Sequence, residues 1–321
     1  MDVHNWKKDL GFYLTKRIND ALLPIDPFLP LEEIRLRAER PIQLVFSEYE
    51  RMISGAGERM PVTQEDISSV VSRICEQSVY AWESELSSGF VTLPGGYRVG
   101  VTGKCVMENG GARRISDITS VNIRITRQCA GVAAPYLPAL LDASGRPLST
   151  LVVSPPGCGK TTFLRDLARL LSCGCGVRPQ RVSIVDTRYE LAGCVRGVPR
   201  FDVGPRTDVR SGGEKADGIL SMLLVMSPQV IVTDEIAAPE DVLAVLDACG
   251  CGVAVLSSTH GANLRDLISR PVLGTLIGTR VFSRYVLLSG RHGAGTVEAV
   301  YGREGEELKI KEHTWQRRLH S

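Results

Sequence analysis

The sequence predicts an α/β protein in two parts, a small mixed α/β domain over residues 1–130 and a larger domain over 148–321 built on a parallel sheet. The first observation is length: 321 residues with 43% hydrophobic and 23% charged residues fill two folded domains with ordinary cores. The second is a set of short apolar runs without polar alternation, at 148–153, 182–185, 230–233 and 253–256. Helix-like stretches at 160–171, 213–226 and 240–249 separate these runs. Strands apolar on both sides and spaced by helices form a parallel sheet covered on both faces. The third is a change of composition to Ala, Pro, Gly and Ser over 131–147, which reads as a connection between domains, with a helical turn at 139–142.

From the N-terminus, the first fourteen residues lack the apolar core of a signal peptide. The densest apolar runs, at 219–226 and 281–288, are shorter than the roughly 20 residues needed to span a bilayer. A cytoplasmic protein is expected. Residues 32–45 read as an alternating strand interrupted at Pro41, and Thr63 to Asp66 as a capping-box start for a helix with Ile67, Val70, Val71 and Ile74 on one face. Residues 97–107, with spaced glycines, read as a hairpin followed by a loop at 109–111, and 121–125 as another strand. Nine cysteines, an odd number scattered through these elements, indicate reduced thiols. The pairs Cys173/Cys175 and Cys249/Cys251 have one residue between sulfurs and no nearby histidines, too close for the usual structural zinc site. With 38 basic and 36 acidic residues the net charge is +2, so there is no global attraction for nucleic acid or an anionic membrane.

The run at 148–153 leads directly into Ser154, Pro155, Pro156, Gly157, Cys158, Gly159, Lys160, Thr161 and Thr162, and then into an amphipathic helix. This strand, loop and helix is the setting of a phosphate-binding P-loop. Glycines let the backbone turn its N–H groups toward phosphate oxygens, the helix contributes its positive end, and Lys160 adds a point charge at the β and γ phosphates. Thr161 is placed to ligate Mg²⁺. Ser154 stands where the signature usually begins with glycine.

A second motif ends the 230–233 strand with two adjacent carboxylates, a Walker B pattern: Asp234 to hold Mg²⁺ through water, Glu235 to polarise the attacking water. Adjacent acids of this kind favour hydrolysis over transfer to a second substrate. Asp186 and Glu190 follow the 182–185 strand, and His260 follows the 253–256 strand. Ligands bind at the carboxyl ends of strands in such sheets, so these groups are expected near the γ phosphate, His260 to sense phosphate or orient water.

The whole series resembles the stage III sporulation protein AA family, relatives of the type II and type IV secretion and pilus ATPases. The resemblance rests on EEIRLRAERPI from Glu32, GGYRVGVTG from Gly95, ISDITSVNIRI from Ile115, PPGCGKTT, IVDTRYELAG from Ile184, GPRTDV from Gly204, MSPQVIVTDEI from Met226, SSTHG from Ser257 and GTVEAVYG from Gly295, in that order. It implies a RecA-like P-loop NTPase core behind the N-terminal domain, and an ATPase of the mother cell in an endospore-former. It also implies a ring-shaped oligomer, taken as a hexamer, at the cytoplasmic face of a secretion-like channel made by membrane proteins of the same operon. By the same resemblance the segment with Asp186 and Glu190 is like an "Asp box" and that with His260 like a "His box". Arginines of the N-terminal domain are implied to approach the phosphates. Arg98, Arg113, Arg114, Arg124 and Arg127 are the candidates, Arg124 and Arg127 first, with Arg127 carried forward as catalytic.

The leading expectation is an ATP-hydrolysing motor using Mg²⁺. The alternative is a nucleic-acid-dependent RecA-like motor, with Arg35, Arg37, Arg113 and Arg114 facing a phosphate backbone. Near-neutral charge and the absence of an aromatic-basic motif leave no direct nucleic-acid contact expected.

Overall fold

The computed structural model describes residues 6–46, 48–53, 61–76, 90–93, 96–107, 113–125, 129–194 and 197–310. The chain divides into two compact units, Met1–Arg127 and Gln128–Ser321.

The first unit opens with α1 (Trp6–Leu10) and α2 (Lys16–Leu22). A sheet follows, built from β1 (Leu31–Arg37), β2 (Ile42–Phe46), β3 (Glu50–Ile53), β4 (Phe90–Leu93), β5 (Tyr97–Met107) and β6 (Arg113–Arg124). Its order is β3-β2-β1-β6-β5-β4, with every neighbouring pair antiparallel. The stretch at 32–45 is therefore two antiparallel strands, with Ile34 opposite Leu44, rather than one interrupted strand. Glu39, at φ 61°, turns the chain just before Pro41. Helix α3 (Gln64–Glu76) starts on the expected capping box: Thr63 Oγ1 accepts from the Asp66 N–H at 3.1 Å, and Asp66 Oδ2 accepts from the Thr63 N–H at 2.9 Å. Ile67, Val70 and Ile74 are buried, and Val71 packs beside them.

The expected hairpin within 97–107 is instead one continuous strand. Pairing with β4 on one side and β6 on the other carries it through its glycines, and only a bulge between Thr102 and Lys104 marks Gly103. The loop expected at 109–111 lies outside the described residues.

The second unit holds a seven-stranded sheet made of β7 (Thr150–Ser154), β8 (Val182–Asp186), β9 (Thr207–Ser211), β10 (Val230–Glu235), β11 (Ala254–His260), β12 (Arg284–Ser289) and β13 (Thr296–Gly302). The order is β13-β12-β7-β11-β10-β8-β9, all parallel except β13. The helices are α4 (Lys160–Cys173), α5 (Lys215–Met226), α6 (Pro239–Gly250), α7 (Leu264–Ile268) and α8 (Pro271–Gly278). β7 and β8 are buried at every position, which is why their sequences show no polar alternation. β9 is half-buried and polar at the sheet edge, so it carries no such signal.

Residues 131–147, read from composition as a connection, pack within the second unit. Ala133, Leu137 and Leu140 share a core with Phe163, Leu164 and Leu167 of α4. Asp166 of α4 accepts the N–H groups of Gly131 and Ala133, each at 2.9 Å. Proline and alanine here serve a buried turn and a short 3₁₀ helix at Leu137–Leu140, slightly before the helical turn expected at 139–142.

Candidate functional site

Because β11 lies between β7 and β10, the carboxyl ends of three parallel strands meet side by side, with His260 opposite Ser154 and Glu235 opposite Ser258. The loop leaving β7 turns on Gly157 (φ 75°) and Gly159 (φ 86°), the latter capping α4. Both conformations lie in the left-handed region that favours glycine. Gly159 is also crowded: a Cβ there would lie 2.5 Å from the Gly295 nitrogen. The Gly295 N–H in turn donates to the Cys158 carbonyl at 2.9 Å, fastening the loop to the turn before β13.

Among the described residues, none of the backbone N–H groups of Gly157 to Thr162 reaches an acceptor. These donors, with the positive end of a fourteen-residue helix, form the concavity an oxyanion fits. Lys160 is buried beside them, and its Nζ donates to Ser154 O (3.1 Å), Ser154 Oγ (3.2 Å) and Pro155 O (3.2 Å). Burial lowers the pKa of this ammonium, against the opposing pull of Glu235, Cys158 and Glu190.

Lys160 Nζ also lies 2.9 Å from His260 Nδ1, and His260 Nε2 lies 3.3 Å from Glu235 Oε2. An ammonium has only donors, so Nδ1 accepts and the imidazole proton sits on Nε2, facing the carboxylate. Arg188 NH1 approaches the same Glu235 oxygen at 3.3 Å. Lys160, His260, Glu235 and Arg188 thus form one polar chain along the sheet edge.

On the next strand, Thr161 Oγ1 donates to Glu190 Oε2 at 3.3 Å. Asp186, fully buried, spends its oxygens on the N–H groups of Glu190 (2.8 Å) and Ala192 (2.9 Å). Burial pushes its carboxyl pKa up, against the backbone hydrogen bonds that hold it down. Asp186 therefore shapes the turn that presents Glu190. Arg165, buried on α4, clamps the same turn: Nε donates to Leu191 O at 2.7 Å and an NH2 to Glu190 O at 2.5 Å, with the guanidinium 3.9 Å from the Phe201 ring centre. Burial lowers its pKa to about 10, with Asp186 the leading opposing charge.

Asp234 Oδ2 accepts from Thr187 N (3.0 Å), Thr187 Oγ1 (2.7 Å) and Arg188 N (3.2 Å), while Oδ1 pairs with Lys215 Nζ at 2.7 Å. Lys215 also donates to the Glu235 carbonyl and lies 3.8 Å from Asp241. Among the described residues, no group of three or more His, Cys, Asp or Glu is arranged to hold a metal ion. Thr161 and Asp234 carry oxygens of the type a hard cation such as Mg²⁺ takes, but here both Asp234 oxygens are engaged, Oδ1 by Lys215 and Oδ2 by Thr187 and Arg188.

Of the candidate arginines, Arg124 is largely exposed on β6 and pairs with Glu33 at 3.4 Å. Arg98 is half-buried on β5, opposite Arg124. Arg127 and the side chains of Arg113 and Arg114 lie outside the described residues.

Residues 10–308 match the family model described as sporulation stage III, protein AA. The chain belongs to this family. It is 44% identical over 303 residues to the stage III sporulation protein AA of Bacillus subtilis (strain 168), covering 94% of this chain and 96% of that one. Among solved structures it is similar to the Legionella pneumophila ATPase DotB, with TM-score 0.58 and 15% identity over 85% of this chain and 76% of that chain. It is also similar to the pilus retraction motor PilT solved with bound ADP, with TM-score 0.53 and 17% identity over the same shares. The fold of this sporulation stage III AA member is thus a RecA-like P-loop NTPase core with a smaller α/β N-terminal domain, as the sequence led one to expect. No helix among its described residues is long and apolar enough to cross a membrane.

Three residues at this edge escaped the sequence reading: Arg165, Arg188 and Lys215. Arg188 stands two positions after Asp186, so the strand-end rule that singled out Asp186 and Glu190 reaches it too. Arg165 and Lys215 lie inside helices, and no spacing marks them.

Proposed function

We propose that this chain is an ATP-hydrolysing motor that assembles as a ring and drives a secretion-like channel in sporulation. The observation that carries the reading is the polar chain from Lys160 through His260 to Glu235 beside the unpaired N–H groups of Gly157 to Thr162. In this reading those N–H groups and Lys160 hold the phosphates of ATP, with Lys160 exchanging carbonyl partners for phosphate oxygens. Thr161 and Asp234 would hold Mg²⁺, which when bound neutralises charge on the β and γ phosphates.

Glu235 takes the proton of the water that attacks the γ phosphorus, and ADP leaves with its terminal oxygen carrying the charge. His260 aims the Glu235 carboxylate through Nε2–H and connects it to the phosphate-contacting lysine. Asp186 and Arg165 hold the turn carrying Glu190 next to Thr161. Arg127 and Arg124 of the N-terminal unit are the proposed suppliers of a guanidinium to the γ phosphate.

The hexameric ring, the channel proteins of the same operon and a peripheral place at the cytoplasmic membrane face, in the mother cell, are part of this proposal. Family membership and likeness to DotB and PilT support them. Solution mass with and without ATP tests the ring, and stimulation of turnover by DNA or RNA would favour a nucleic-acid motor instead.

The deciding experiment is ATP turnover of the full chain and of Glu235→Gln. The variant is expected to bind ATP normally and hydrolyse it roughly 10² to 10⁴ times more slowly. Unchanged turnover would transfer the base role to Glu190.

A further inference from the structure

A second concavity lies within the second unit, and His260 and the other residues of the P-loop edge do not line it. It has a volume of about 790 Å³ and is walled by α7, α8, the start of β12 and the turn after β13. That volume falls in the usual range for a small-molecule site, about 300–1,000 Å³. Leu264, Ile277 and Tyr301 give it apolar surface, and Arg265, Arg280 and Arg303 stand around it against the single carboxylate of Glu304.

Three features set it apart from an incidental cleft. The Tyr285 side chain on its wall is 98% buried by its 2% exposure, and its hydroxyl has no hydrogen-bond partner among the described residues. A buried hydroxyl without a partner costs on the order of 1–3 kcal/mol, and with under 1 Å² of its oxygen accessible it sits behind the wall of the concavity as a destabilising spot in the packing beneath it. Burial raises the phenol's pKa, with Arg303 pulling the other way, so the group stays an O–H donor at neutral pH.

Secondly, Arg280 holds φ at 56°, the left-handed conformation that usually falls to glycine after a helix. An arginine there costs about 1–2 kcal/mol and presents its guanidinium at the pocket rim. Its partner is Glu304 at 3.0 Å, an exposed pair of little strength, so the guanidinium is readily exchanged to another oxyanion. Thirdly, among the described residues Arg303 reaches only the neutral Ser283 hydroxyl, at 2.7 Å, and Arg265 makes no ion pair.

We propose that this pocket is a binding site for a small ligand with an apolar, ring-sized body and one phosphate or carboxylate group. The arginines would take the oxyanion and the apolar wall would cover the body. A bare inorganic anion would leave that wall in contact with water and so bind weakly. The site is separate from the P-loop and does not depend on the motor reading.

The test is isothermal calorimetry on the full chain in excess MgADP, with four probes: phenyl phosphate, phenylacetate, benzyl alcohol and inorganic phosphate. Phenyl phosphate or phenylacetate is expected to bind at least roughly tenfold more tightly than the neutral alcohol or the bare anion, as charge-assisted hydrogen bonds to guanidinium require. Preference for one of the two identifies the natural ligand's class as phosphate ester or carboxylate. Gly278 lines the concavity in helical conformation, and a Cβ there meets nothing within 4 Å, so Gly278→Trp adds bulk at the concavity with no backbone clash at its Cβ. That variant and Arg303→Gln are expected to weaken the better anion at least roughly tenfold. Unchanged thermal stability of Gly278→Trp checks that it folds. No binding by either anion, equal binding by benzyl alcohol, or full affinity in Gly278→Trp would overturn the proposal.

Discussion

Gly159 and Gly157 carry the same chemistry in one loop but sit in different surroundings, and alanine at each separates two physical costs. Both hold positive φ, 86° and 75°, so a Cβ at either place incurs about 1–2 kcal/mol of left-handed strain. At Gly157 nothing lies within 4 Å of the added atom, so strain is the whole cost. At Gly159 the added Cβ falls 2.5 Å from Gly295 N, 2.9 Å from Gly295 Cα and 3.0 Å from Ala294 C, all backbone. That segment is fastened to the loop by the Gly295 N–H to Cys158 hydrogen bond, so relief means moving both strands of the contact. Overpacking of this kind adds about 1–3 kcal/mol. Gly159→Ala should therefore cost about 2–5 kcal/mol in all, against about 1–2 for Gly157→Ala. Differential scanning calorimetry reads the difference as a fall in Tm of about 2–4 °C per kcal/mol for a unit of this size. Equal falls for the two variants would refute the argument that the 294–295 turn braces the phosphate loop. ADP binding measured alongside should weaken most in Gly159→Ala, because the displaced residue directly precedes Lys160.

Alanine at Arg127 and at Arg124 should slow ATP turnover unequally, by up to roughly 10³-fold for the arginine that meets the γ phosphate. Arg124 already pairs with Glu33, so the larger loss is expected at Arg127; mixing the deficient variant with Lys160→Ala protein and regaining activity would reveal action across a subunit boundary. Asp66 in the first unit tests electrostatics apart from function. Burial pushes its carboxyl up, but hydrogen bonds from Arg17, Thr63 and Thr15 outweigh this and hold it at about 2, below the usual 3.8 of an aspartate. A depressed carboxylate contributes stability above its unfolded pKa and loses it as pH falls through the folded one, so about 2 kcal/mol should disappear between roughly pH 4 and pH 2. Asp66→Asn should be destabilised at pH 7 and nearly indistinguishable from the parent near pH 2 by urea unfolding; a constant gap across that range would contradict the assignment.

How much was legible depended on how local the cause was. The strand, glycine loop and helix from 150 to 173, the paired acids at Asp234 and Glu235, and the Thr63–Asp66 capping box are each written in a few consecutive residues, and each formed where its spacing indicated. The buried parallel strands were equally plain, since residues apolar on both faces leave no ambiguity of side. Glycines in β5 and the alanine-proline run at 131–147 misled for the opposite reason. Their composition signals breaks and linkers, but hydrogen bonds from β4 and β6 kept the first extended, and α4 offered the second an apolar surface to cover.

What the sequence by itself determined was therefore the set of groups available: a glycine-rich loop with a lysine, a pair of acids and a histidine, each at the end of a strand. Only the tertiary structure decided their partners. Lys160 and His260 stand one hundred residues apart, and they meet because β11 inserts between β7 and β10 with His260 in register with Ser154. That register is a property of the assembled sheet. The same is true of Arg165 clamping the Glu190 turn from α4 and of Lys215 reaching Asp234 from α5. Each is a contact between elements whose sequences carry no information about each other until packing and backbone hydrogen bonding bring them within about 3 Å.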